Sequence, residues 1–174
     1  MKKTKVSIVK GPEQPTEPDI NRMVRKAVAL AGGLKDIISP GDSVIIKPNL
    51  VYPAPSSTGA TTDYRVCKAI ATMVKEVGAN PIIAESSAIG VDTEKVFQVG
   101  SYDELRKAGF AVIDLKKSKV VTVPVPRGRV VKELSLPEEV VNAKVIISIP
   151  VMNTHDQCLA TLSIKNMKGV LPDT

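Results

Sequence analysis

The chain has 174 residues, with 24 lysines and arginines against 18 aspartates and glutamates, a net charge of +6 and one histidine. That length suffices for one domain with a real core, and no run approaches the roughly 18 uncharged apolar residues of a membrane span. The positive charge favours anionic partners, but two Phe, three Tyr and no Trp leave few platforms for stacking bases, which argues against nucleic acid.

Met1-Lys2-Lys3-Thr4-Lys5 has the charge of a signal-peptide start, but the Val-Ser-Ile-Val that follows is too short for an apolar h-region. Cys67 and Cys158 are too few for a disulfide framework and read as reduced thiols, which points to the cytoplasm. Residues 5–9 alternate as a first strand would, and 11–18 form a proline-rich loop. Ile20, Met23, Val24, Ala27, Val28 and Ala31 recur at helical spacing, with Gly32-Gly33 as the stop. A turn at Pro40-Gly41-Asp42 leads into the β-branched run Ser43-Val44-Ile45-Ile46-Lys47, and a polar loop fills 48–62.

The clearest helix spans 63–77, where Val66, Ile70, Met73, Val74 and Val77 form a stripe closed by Gly78, and Thr61 or Thr62 can cap its start. Pro81-Ile82-Ile83-Ala84 is a strand, 93–99 and 102–108 are short helices, and 111–114 is a further strand. Residues 120–125 and 129–134 read as a hairpin around Pro126-Arg127-Gly128, with the prolines at 124 and 126 marking an edge. A short helix follows Pro137, with acids in its first turn, and 145–149 is a last buried strand. The alternation predicts a single α/β domain over 1–174. Its expected architecture is a mostly parallel sheet with helices on both faces, Rossmann-like and three-layered, with a β-hairpin insertion around 119–135.

Three predicted strands end in polar clusters: Lys47-Pro48-Asn49, Glu85-Ser86-Ser87 and Asn153-Thr154-His155. If these strands are parallel neighbours, the clusters line one crevice, because open α/β sheets bind ligands beyond their carboxyl ends. Polar residues also follow apolar strands into loops in any such protein. His155 is the natural proton-transfer group, and Lys165 and Lys168, at i and i+3, would form a positive site for carboxylate or phosphate. Asn49, Thr61, Thr62, Ser86, Ser87 and Asn166 would orient a small anionic ligand, with Glu85 or Asp63 as a carboxylate base or magnesium ligand.

Residues 56–63 lead into the best helix and could hold an anion at its start. There is no P-loop, G-x-G-x-x-G, G-x-S-x-G or H-E-x-x-H pattern. His155-x-x-Cys158, with Asp156 and Cys67, could chelate a metal only by assuming that all of them converge, so no metal site is assigned. Without a Cys-x-x-Cys run, this chain alone ligates no iron-sulfur cluster.

Taken together, Ile45-Ile46-Lys47-Pro48-Asn49-Leu50-Val51, Thr58-Gly59-Ala60-Thr61-Thr62-Asp63, Glu85-Ser86-Ser87, Ile149-Pro150-Val151-Met152-Asn153-Thr154-His155 and Lys165-Asn166-Met167-Lys168-Gly169 resemble the prokaryotic family known as domain of unknown function 362. The resemblance implies a cytosolic α/β domain, often associated with ferredoxin-like iron-sulfur modules, and no settled reaction. It also implies a longer chain, so that Thr174 looks like a truncation. Asn153 stands where the family typically places a lysine before Thr-His, so one positive charge is absent.

The leading expectation is an enzyme domain that binds a small anionic metabolite at the strand ends and exchanges electrons with an iron-sulfur partner. The alternative is a non-catalytic scaffold that recruits an acidic ferredoxin through Lys116, Lys117, Arg127 and Arg129. A third expectation is an incomplete site whose exposed apolar surface favours a homo-oligomer.

Overall fold

The computed structural model describes residues 4–155 and 159–172. Its centre is β1, Ser43–Pro48, whose β-branched residues are buried on both faces and whose neighbours are both parallel. One neighbour is β2, Asn80–Glu85, which pairs in turn with β3, Ala111–Asp114; the other is β6, Val145–Ile149. The sheet order is therefore β3-β2-β1-β6. All four strands point the same way, so their carboxyl ends meet along one edge.

Side chains alternate between the two faces of this sheet, as strand geometry requires. Val44, Ile46 and Ile83 enter one core with Ile70, Val74, Phe97 and Leu105, while Ile45 and Ala84 enter a second with Leu115, Val140 and Val170. Each fully buried Ile, Val or Leu contributes about 1.5–3 kcal/mol. The first core lies under four helices: α1 (Glu17–Ala31), α2 (Tyr64–Glu76), α3 (Thr93–Val99) and α4 (Asp103–Lys107). The second lies under α5 (Glu138–Asn142) and the 3-10 turn Met167–Val170, which follows α6 (Ser163–Asn166). Helices thus cover both faces of a parallel sheet, as the alternation predicted.

Two small antiparallel pairs complete the architecture. β4 (Val120–Pro124) and β5 (Glu133–Pro137) form the expected hairpin, with Val120 opposite Pro137. Its second strand begins at Glu133 and not at Arg129, because Gly128 N donates to Val125 O and Val125 N donates to Lys132 O, so the turn takes in residues up to 132. β7 (Asn153–His155) pairs with β8 (Leu159–Thr161), a hairpin the sequence did not suggest.

Two local expectations are corrected. Residues 5–9 are not a strand: they pair with none of the described strands, and Val6 and Ile8 are exposed. Alternation alone cannot hold a strand that lacks a neighbour to take its N-H and C=O groups. The N-cap of α2 is Asp63, whose side chain accepts from Arg65 N, rather than Thr61 or Thr62. Both threonines are spent elsewhere: Thr61 Oγ1 donates to Ala54 O at 2.9 Å and Thr62 Oγ1 to Ile149 O at 2.7 Å.

Candidate functional site

The site is built on a buried ion pair at the ends of the two central strands. Lys47, on β1, is 1% exposed, and its Nζ donates to Glu85 Oε2 at 2.6 Å, to Pro48 O at 2.7 Å and to Asn166 Oδ1 at 3.4 Å. An ammonium has three protons, so these acceptors use all of them. Glu85, at the end of β2, also accepts from Leu50 N at 3.0 Å and Ser86 N at 2.9 Å. Burial pushes its carboxyl up to about 7 against the pull of Lys47, and burial pushes the Lys47 amine down against the pull of Glu85. Both shifts have one cause, the cost of charge away from water.

The Lys165-to-Gly169 segment docks on this pair. Asn166 Nδ2 donates to Lys47 O at 3.1 Å and Ser148 Oγ at 2.9 Å, and Ser86 N donates to Gly169 O at 3.1 Å. Gly169 lies so close to the pair that a Cβ there would collide with Glu85 Oε1 and stand 2.8 Å from Lys47 Nζ. Only glycine fits this approach. The neighbouring loops are fixed by the same means. Asn49 N donates to Thr62 Oγ1 at 2.8 Å, Asn49 Nδ2 donates to Ala60 O at 2.8 Å, and Ser87 Oγ donates to Leu50 O at 2.7 Å.

Above this floor lies a cavity of about 620 Å³. Of the residues expected at the site, Lys47, Asn49, Glu85, Ser86, Ser87, Asn153, Thr154, Lys165, Asn166 and Lys168 all line it. Members of all three strand-end clusters therefore line one crevice, at the place the parallel order required. Asn153 Nδ2 donates to Gly59 O at 2.9 Å, which ties β7 to the loop before α2. Lys165 and Lys168 have no ion-pair partner among the described residues.

Thr61, Thr62 and Asp63 are not among the lining residues. The two threonines are buried supports. Asp63 is the α2 cap, and although burial raises its carboxyl, the hydrogen bonds from Arg65 hold it below the usual range. The side chain of His155, with Asp156 and Cys158, lies outside the described residues, as do residues 1–3 and 173–174. Cys67 is buried in the core with its Sγ 3.5 Å from Tyr102 OH, and burial pushes its thiol up to about 12.

Among the described residues no three His, Cys, Asp or Glu side chains gather as a metal-sized group, and the Glu85 oxygens already accept from Lys47 and two backbone N-H groups. Sequence reasoning missed the apolar part of the lining: Leu50, Val51, Tyr52, Ala88, Ile89, Leu171 and Pro172. The available signal was an apolar pair, Val51-Tyr52, in a polar loop directly after a strand.

This combination of strand-end polar clusters and a Lys-Asn-Met-Lys-Gly segment coincides with a match to the family described as domain of unknown function (DUF362), over residues 44–174. The chain belongs to that family. It is also similar to a thylakoid-associated protein of a Synechocystis strain, with 27% identity over 141 residues, covering 81% of this chain and 43% of that relative. The chain thus spans less than half the length of the curated relative it matches. No helix among the described residues is long and apolar enough to cross a membrane.

Proposed function

We propose that the cavity binds a small anionic metabolite at the strand ends and that the domain is an enzyme acting on it by proton transfer. The observation that carries this reading is the contrast in charge satisfaction. Lys47 beneath the cavity has three acceptors, while Lys165 and Lys168 line the same space without an ion-pair partner among the described residues. Uncompensated cations in a concave, partly apolar site attract anions. In this reading Lys165 and Lys168 neutralise the ligand's charge, Asn153, Thr154 and Ser86 orient it, and His155, on β7, moves the proton.

The scaffold alternative draws less support. Part of its basic surface is already engaged: Lys117 Nζ lies 3.6 Å from Glu94 and 3.8 Å from Asp114, and Lys116 Nζ donates to Ala88 O and Val91 O at 2.9 Å each. Any iron-sulfur chemistry is assigned to a partner protein. The reading keeps the domain in the cytoplasm, in line with its cysteine usage. The thylakoid association in the relative's name belongs to that protein, and cell fractionation decides between a free and a membrane-bound form.

The test is an NMR titration with inorganic phosphate and with acetate. The wild type is expected to bind at least one of them, and Lys165→Ala/Lys168→Ala to weaken that binding at least tenfold, the loss of two cationic contacts. The ring signals of the single histidine report on the same titration and are expected to shift when the anion binds. Unchanged affinity in the double variant would sink the reading.

A further inference from the structure

A free phosphate or acetate would occupy only a fraction of a cavity of about 620 Å³, a size in the range that encloses whole metabolite- or drug-sized molecules. The rest of the lining suggests what fills it. Val51, Tyr52 and Ile89 are 44%, 49% and 75% exposed, and all three line the cavity. They come from two different loops, one after β1 and one after β2, which are fastened together by Ala88 N donating to Val51 O at 3.1 Å and by Ser87 Oγ donating to Leu50 O. Single exposed apolar residues are ordinary on any surface. Three that are brought together at the cavity that also holds Lys165 and Lys168 form an apolar patch of the kind that marks ligand-binding grooves.

Resting on the anion-site reading, we infer that the ligand is amphiphilic: an anionic head, carboxylate or phosphate, held at Lys165 and Lys168, joined to an apolar body about the size of a ring that lies on Val51, Tyr52 and Ile89. The two halves of the cavity have separate duties. The lysines set affinity for charge and depend on salt, whereas the apolar patch selects by the area it removes from water. Tyr52 suits a flat body, because an aromatic face packs by offset stacking as well as by area.

The experiment compares matched probes in the full chain: acetate against benzoate, and inorganic phosphate against phenyl phosphate, each titrated by NMR at fixed ionic strength. The aromatic member of at least one pair is expected to bind roughly tenfold tighter, the return on covering part of a ring's apolar surface. Tyr52→Ala/Ile89→Ala, altered only at exposed positions, is expected to lose that preference and keep its affinity for the small anion. The better-bound pair identifies the head group. Equal affinity within both pairs overturns the amphiphile inference and leaves the anion site standing. A preference that survives the double variant places the ring elsewhere and also overturns it. If none of the four probes binds, both readings fall.

Discussion

Lys47 and the two lysines of the docked segment line the same cavity, yet their charges are met in opposite ways. Lys47 is enclosed, with Glu85, Pro48 O and Asn166 around its amine, and both members of the ion pair are pushed towards their neutral forms. Lys165 is half-buried and Lys168 exposed, and neither has an ion-pair partner among the described residues. The difference teaches that a lysine at a cavity wall is not by that fact a ligand-binding group. A charge whose protons are all spoken for builds the wall, and in the proposed reading a charge without a counter-charge serves what enters.

The comparison breaks most readily at Lys47. Lys47→Met leaves the Glu85 carboxyl buried without its ammonium and is expected to cost about 3 kcal/mol, read by urea unfolding at pH 8. Adding Glu85→Gln should restore most of that loss, because removing both charges is far cheaper than stranding one. If single and double variants lose the same amount, the pair is not the structural unit described.

A pH series sharpens the same point. The folded Glu85 carboxyl, at about 7, lies above its ordinary 4.5. A raised pKa contributes stability that is fully present below about 4.5 and is lost as pH rises through about 7. Wild-type stability should therefore fall across that window relative to Glu85→Gln, and parallel curves for the two proteins would contradict the shift.

Gly169→Ala is expected to cost about 1–3 kcal/mol by overpacking against Glu85 and Lys47, and to weaken anion binding by displacing the segment that carries Lys168. Thermal unfolding and the phosphate titration read the two effects separately. The smallest stability change belongs to Lys165→Ala/Lys168→Ala, expected within about 0.5 kcal/mol of wild type, since little in the fold leans on these side chains. A large loss there would erase the distinction between the two kinds of lysine.

Much of the frame was legible because it is written in local periodicity. The stripe on 63–77 became α2, the β-branched run became β1, and parallel order then forced the three strand ends together. What stayed hidden depends on partners that local pattern does not contain. Residues 5–9 alternate correctly but have none of the described strands beside them. Thr62 resembles a helix cap, yet its hydroxyl joins Asn49 N to Ile149 O. Lys47, Lys165 and Lys168 are identical in sequence chemistry, and only the fold assigns one to the floor and two to the opening. Asn166 could be listed for the site but not placed beneath it, where it bonds the backbone of β1.

The position of β1 between β2 and β6 also sets the order in which the domain can be assembled. β2 follows β1 closely in the chain, but β6 begins only at Val145, and Asn166 meets Lys47 across 119 residues of sequence. Contacts of such span carry a heavy loop-closure cost and form late. A partly folded state made only of β1, β2, β3 and their helices would have a sheet and a core but no crevice, since Lys47 would lack its contacts with Asn166 and Gly169. The proposed ligand recognition would thus belong to the finished fold alone, and a bound anion should act by slowing unfolding rather than by hastening folding.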